Sequence, residues 1–144
     1  MRKLLAIASL LAITGCASVP MANTERDSSA KHFATKPDRS NIYVYRNESM
    51  GAVAKMPIAL DGRLVGDTAA KTFLLLEVRP GTHMLVSKAE NDSTLSLITA
   101  AGKNYFVWQE VKMGLFAARS ALQLVDEAAG KAGVEECQLI ETVR

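Results

Sequence analysis

The chain has few of the residues that site chemistry needs. It holds two cysteines, two histidines and one tryptophan in 144 residues. Two cysteines allow at most one disulfide, so a disulfide framework is excluded. His32 and His83 stand 51 residues apart, and with Cys16 and Cys137 they form no recognisable metal-ligand spacing. A surplus of one charge is also missing. The 17 basic and 15 acidic residues are interspersed, and without Arg2 and Lys3 the two signs are equal. Such a balance gives no long-range field to draw in a phosphate backbone, so nucleic acid is excluded as a partner. The apolar run Leu4 to Ile13 is about half the ~20 residues that a membrane-crossing helix requires.

Enzyme signatures are missing too. There is no Gly-x-Ser-x-Gly nucleophile elbow. Gly102-Lys103 is followed by Asn104, with no glycine five positions before Gly102, and Gly130-Lys131 fails as a phosphate-binding loop in the same way. Glu135 and Glu136 would point to different sides of a helix, so they read as a solvated face rather than a carboxylate pair. No catalytic set, metal site or cofactor is assigned, and the expectation is a protein that is not an enzyme.

What is present begins at the N-terminus. Arg2 and Lys3 precede the apolar run, which closes on Ile13-Thr14-Gly15-Cys16. A basic start, a short apolar segment and small residues at the break describe a removable secretory signal over residues 1–15. A cysteine directly after Thr14-Gly15 resembles the lipobox of bacterial lipoproteins. That resemblance implies cleavage between Gly15 and Cys16, and acylation of Cys16 as the mature N-terminus. It also implies three acyl chains. Each buried methylene contributes ~0.8 kcal/mol, and two or more chains hold stably. Ala17 stands where an aspartate would signal inner-membrane retention, which by that resemblance implies the outer membrane, and the domain is expected on its periplasmic side. Outer-membrane lipid is thus one partner, through Cys16. Cys137 is left as the sole free thiol: a buried small hydrophobe, an intermolecular disulfide or a reactive nucleophile.

Residues 16–40 read as the acylated cysteine and a flexible tether. This stretch carries Pro20, Pro37, several serines and seven charges without apolar period. It cannot bury enough surface to offset its ordering entropy, and as a coil it would span roughly 25–30 Å. His32 is expected to be solvated there.

Residues 41–144 read as one β domain. Ile42-Tyr43-Val44-Tyr45-Arg46 has large residues on both faces, as for a strand covered on both sides. Met56, Ile58 and Leu60 alternate in a strand that Pro57 places at an edge or a beginning. Asp61-Gly62 suits a type I′ hairpin turn. Thr72 to Val78 sets Leu74, Leu76 and Val78 on one face and Phe73, Leu75 and Glu77 on the other. Arg79-Pro80-Gly81-Thr82 has the order of a type II turn. Strands follow over His83 to Lys88, Thr94 to Thr99 and Tyr105 to Val111. Turn signals about every ten residues indicate an antiparallel β-sandwich. Leu122, Leu124 and Val125 fit either a short strand or the start of a helix. Asp126 fits the N-cap of a helix through Glu136, with Val125, Ala129, Ala132 and Glu136 as its docking stripe. Gly130 and Gly133 weaken that helix, and Gln138 to Val143 is a possible last strand.

The order and spacing of Ile42-Tyr43-Val44-Tyr45-Arg46, Leu60-Asp61-Gly62, Pro80-Gly81-Thr82-His83 and Gly102-Lys103-Asn104-Tyr105-Phe106-Val107 resemble the bacterial lipoproteins grouped as domain of unknown function 2846. The proline-glycine element also resembles that of PEGA-type, transthyretin-like β-sandwich modules. These resemblances imply a fold and a location and carry over no catalytic residue. His83 begins a strand after a turn, where it can hydrogen-bond the turn backbone, contact a ligand or act with Cys137. Tyr43, Tyr45, Tyr105 and Trp108 are either core and cross-strand pairs or a platform for sugar rings. The reading is a lipid-anchored envelope lipoprotein acting as a non-catalytic binding or structural module, with another envelope protein or a glycan as partner. The rivals are a glycan-binding module and a small envelope enzyme using His83 and Cys137.

Overall fold

The computed structural model describes residues 18–50, 52 and 54–143. Strand β1 (Ser40–Arg46) alternates Ile42 and Val44 with Tyr43 and Tyr45, and all seven of its residues are buried. A strand apolar on both faces must be covered on both, and the fold is organised around that need. With β4 (Thr72–Val78), β7 (Asn104–Met113), β8 (Ala118–Val125) and β9 (Gln138–Leu139) it forms a sheet in the order β8-β7-β1-β4-β9. A second sheet, in the order β3-β2-β5-β6, contains β2 (Met56–Leu60), β3 (Arg63–Thr68), β5 (Gly81–Lys88) and β6 (Asp92–Thr99). Two short helices, α1 (Thr24–Ala30) and α2 (Glu127–Glu135), complete the described chain. No helix among the described residues is long and apolar enough to cross a membrane.

The fold is the expected β-sandwich with a short C-terminal helix, but its first sheet is mixed. β1 lies parallel to β7, from Asn41 opposite Asn104 to Tyr45 opposite Trp108, and β9 lies parallel to β4. Parallel neighbours need a long crossover. The chain supplies one by building the whole second sheet and β4 between β1 and β7.

Two cores result. Ile42, Val44, Leu74, Leu76 and Val107 meet Ile58, Leu85 and Leu97 between the sheets. On the outer face of the first sheet, Tyr43, Tyr45, Phe73 and Phe106 pack with Ala30, Val134, Cys137 and Leu139. Tyr43 stacks on Phe106 at 5.1 Å between ring centroids, and Phe33 closes on both rings at 5.3 and 5.7 Å. At one end of the sandwich the inter-sheet space is polar. Buried Thr68 donates to Gln109 Oε1 (2.5 Å), Gln109 Nε2 donates to Ser87 Oγ (2.6 Å), and the Ser87 and Ser120 hydroxyls hydrogen-bond to each other (2.8 Å).

The outer core overturns the expectation of a flexible tether, for the part of residues 16–40 that is described. Val19 packs against the inter-sheet core, and the Pro20 carbonyl accepts from Glu141 N (2.9 Å). Met21 bridges Ile140, and Ala22 N donates to the Leu139 carbonyl (3.0 Å). Asn23 caps α1 by accepting from Arg26 N (2.9 Å), and Tyr43 OH reaches the Ala30 carbonyl (2.9 Å). The segment's few apolar residues have no period of their own because they fill gaps on a sheet formed elsewhere. His32 is exposed, as expected.

Two smaller expectations are also corrected, while the Asp61-Gly62 turn and the place of Pro57 at the beginning of its strand hold. Asp61 (φ 50°) and Gly62 (φ 83°) both take positive φ, as the type I′ turn requires. Gly81, by contrast, has φ 142°, far from the type II value near 80°. The strands that Pro80-Gly81 joins belong to different sheets, so this corner closes no tight hairpin. The last strand is only Gln138–Leu139, because the chain then crosses to β3, where Val143 N donates to the Val65 carbonyl (2.8 Å). Pro57 is the second residue of β2, ahead of the Ile58–Leu60 stretch that pairs with β5.

Helix α2 starts where Asp126 accepts from Ala129 N (2.8 Å). Its buried residues are Gly130, Gly133 and Val134, not the expected stripe of Val125, Ala129, Ala132 and Glu136. A Cβ on Gly130 would lie 2.2 Å from Phe106 ring and Cβ atoms, and one on Gly133 would lie 2.2 Å from the Tyr45 ring. The glycines are the docking face, because only hydrogen lets the helix lie flat on the rings.

Gly130→Ala and Gly133→Ala should therefore destabilise. The gain in helix propensity is ~1 kcal/mol, while forcing a methyl into packed rings costs about 1–3 kcal/mol. Denaturant midpoints should fall for both variants. An unchanged or raised midpoint would contradict the glycine face.

Candidate functional site

His83 sits where β5 leaves the β4–β5 corner, opposite the Asp61-Gly62 turn. Its Nδ1 lies 2.7 Å from Asp61 Oδ2 and its Nε2 lies 2.7 Å from the Arg79 carbonyl. A carbonyl and an ionised carboxylate only accept, so a ring satisfying both must donate from both nitrogens and be a cation. Burial alone would lower the pKa of His83. The hydrogen bond and charge of Asp61, with the Arg79 carbonyl, outweigh it and raise the value above 6.5. Burial alone would raise the pKa of Asp61. The bonds from His83 and from Met84 N (2.8 Å) overcome it and hold the carboxyl below its ordinary range. This triangle pins the hairpin turn to the sheet corner. Both ring nitrogens are occupied by it, so His83 has neither left for a substrate.

The remaining candidates are not gathered around His83. Cys137 lies on the other sheet, under the helices, with its Sγ 3.5 Å from the Arg46 carbonyl. Burial pushes its thiol up to about 12, far from thiolate character at neutral pH. Tyr43 and Tyr45 are 1 % and 4 % exposed, so neither offers a face to a sugar. Tyr105 is half-buried, and its hydroxyl accepts from Ala100 N (2.8 Å) at the β6–β7 turn. Trp108 packs beside the outer core, with its Nε1 buried and unpartnered. The four aromatics are thus core or turn residues rather than a platform. Gly15 and Cys16 lie outside the described residues. Among the described residues no three His, Cys, Asp or Glu side chains gather as metal ligands.

The chemically unusual feature is at the opposite end of the sandwich from His83. The β7–β8 hairpin ends in Met113-Gly114-Leu115-Phe116-Ala117-Ala118, where Met113, Leu115 and Phe116 are 83 %, 87 % and 97 % exposed. Its conformation is built rather than loose. Glu90, from the β5–β6 turn, accepts from the amides of Leu115 (3.1 Å), Phe116 (3.0 Å) and Ala117 (2.8 Å). Those three donors hold its carboxyl below the usual range. A Cβ at Gly114 would lie 2.0 Å from the Ala117 carbonyl oxygen, so the turn admits only glycine there. A cleft of about 490 Å³ runs from this tip to Met50. The sequence does hold a signal for it, although periodicity does not find it: six residues without charge lie where a hairpin turn needs polar residues.

Comparisons with known proteins give a family and no activity. The family described as "Protein of unknown function (DUF2846)" matches residues 36–121. A Haemophilus influenzae protein described as uncharacterized is 32% identical over 132 residues, covering 90% of this chain and 78% of that protein. No solved structure matches.

The His83 triangle has a pH signature. Its folded pKa is raised, so its stabilisation is complete below the unfolded value of 6.5 and is lost as pH rises through the folded value. Unfolding midpoints should fall over that window in the wild type. His83→Gln should remove the slope, and Cys137→Ala should retain it. An imidazole titration by NMR at or below 6.5 would contradict the two-acceptor geometry.

Proposed function

Because the chain belongs to the DUF2846 family, whose description names no activity, we propose that it is a lipid-anchored envelope lipoprotein, acting on the periplasmic side of the outer membrane as a non-catalytic binding or structural module. The observation that carries this reading is the opening of the sequence: Arg2-Lys3, the apolar run to Ile13, and Thr14-Gly15-Cys16 followed by Ala17. The geometry supports the non-catalytic part. His83 is occupied by two structural partners, and Cys137 is a buried thiol on another sheet. The corner at Pro80-Gly81, set between two packed sheets, supports a likeness to PEGA-type modules. Burial of Tyr43 and Tyr45 favours an envelope protein over a glycan as the binding partner.

Expression of the full chain in a Gram-negative host tests the anchor. The mature N-terminal peptide should begin at Cys16 and carry acyl chains by mass spectrometry, and the protein should fractionate with the outer membrane. Cys16→Ser should keep residues 1–15 and take up no fatty-acid label. Wild-type protein recovered unlabelled in the soluble fraction would overturn the proposal.

A further inference from the structure

Strand register places the exposed tip and the start of the described chain at the same end of the sandwich. Arg46 pairs with Thr72, and Tyr45 pairs with Trp108, so Gln109 lies level with the start of β4. Met113 is four residues farther on, which carries the hairpin about 13 Å beyond that level at ~3.3 Å per residue. Gln138 pairs with Thr72, and Ser18 and Val19 line a cleft with Ala69, Lys71 and Gln138. Ser18 is therefore at the β3–β4 turn, at the tip's end of the molecule. Cys16 is two residues from Ser18, and two residues span at most about 7 Å.

The charge around the tip is ordered as well. Lys112 and Arg119 face each other across the hairpin immediately behind Met113 and Ala118, and each is ion-paired, with Glu110 and with Glu90. Lys55 and Lys88 line the neighbouring cleft with Ala117 and Ala118. The carboxylates of this end balance those bases: Glu90 holds the tip's amides and pairs with Arg119, Glu110 pairs with Lys112, Asp92 pairs with Lys88, and Glu48 accepts from Val111 N. Apolar side chains ahead of long amphipathic ones match a bilayer interface, where the first enter the acyl boundary and the charged ends of the second stay at headgroup level.

We infer that the Met113–Ala118 tip is a second membrane contact, inserted into the leaflet that holds the Cys16 acyl chains. The occupant of the exposed apolar cap is thus a phospholipid surface. This rests on the lipid anchor proposed above. The exposed side chains of Met113, Leu115 and Phe116 are what would enter the ~5–10 Å depth that apolar groups reach in an interface. A short anchor beside the β3–β4 turn leaves the end face little freedom to stand away from the bilayer. Chain attachment and apolar tip together fix the tilt, so that the His83 end points away from the membrane.

The test uses the full-length protein purified from membranes and reconstituted into vesicles of phosphatidylethanolamine and phosphatidylglycerol with brominated acyl chains. Phe116→Trp adds an indole at the tip, Ile98→Trp adds one on an exposed site near the opposite end, and Trp108, half-buried, is common to both, its signal subtracted with the wild type. The indole at position 116 should shift to the blue and lose most of its emission in brominated vesicles, while the one at position 98 should not. The mass of the N-terminal peptide from the same preparation reports the anchor separately. Acylated protein with an unquenched position 116 overturns tip insertion and leaves the anchor standing. Absence of acyl chains overturns the anchor, and this inference with it. Quenching equal at positions 98 and 116 overturns the orientation. A blue-shifted but unquenched position 116, with crosslinks between copies, assigns the tip to a second copy of the chain and overturns the membrane contact.

Discussion

Two-sided burial of β1 is the constraint from which the rest of the structure follows. Its inward residues, Ile42 and Val44, need an opposing sheet, and its outward residues, Tyr43 and Tyr45, need a lid. The long crossover between the parallel neighbours β1 and β7 holds the opposing sheet. The lid comes from both ends of the chain: α1 and Phe33 from the N-terminal side, α2 and Leu139 from the C-terminal side. Each aromatic side chain buries 150–250 Å², so this layer is a second core rather than decoration. It also explains why neither end of the domain is loose: without residues 19–33 the stacked rings of Tyr43 and Phe106 would face water.

The polar chain Thr68–Gln109–Ser87–Ser120 has a different task. It joins β3, β7, β5 and β8 across the sandwich, and every member is satisfied by the next. An apolar core tolerates a register slip more readily than a buried amide does, because a displaced Gln109 would leave donor and acceptor unpaired at about 1–3 kcal/mol each. The network sits at the end where the β7–β8 hairpin departs, so it fixes the root of that hairpin. Glu90 then fixes its tip. Both devices aim an exposed apolar cap in one direction, whereas a cap left exposed by accident needs no such support.

What the sequence revealed followed from period. Strands with one or two apolar faces, such as Thr72–Val78, show their alternation directly, and Asp61-Gly62 signals its turn because few residue pairs accept two positive φ values. The N-terminal segment was hidden because Val19, Met21, Ala22, Ala30 and Phe33 contact surfaces that only the folded sheets create. Gly130 and Gly133 read as helix weaknesses in isolation, and only the rings of Phe106 and Tyr45 reveal them as the contact face. His83 stands beside a turn in the sequence, but the Asp61 carboxylate that completes its pairing lies 22 residues away. The exposed tip breaks alternation without adding turn chemistry, so pattern reading passes over it.

The ordered N-terminal segment changes what a lipid anchor would mean for this domain. A coil from Cys16 to Ser40 would let the sandwich tumble roughly 25–30 Å from its attachment point. Docking from Val19 onward shortens that lead to a few residues beside the β3–β4 turn. A domain on so short a lead meets the surface repeatedly with the same end, and at high effective concentration even a small apolar tip engages far more often than it would from solution. Under the proposed anchor, covalent attachment and a weak, oriented contact would reinforce one another. Val19 on the inter-sheet core and Ala22 on the outer core are the contacts that would make such coupling possible, because they fix where the described chain begins.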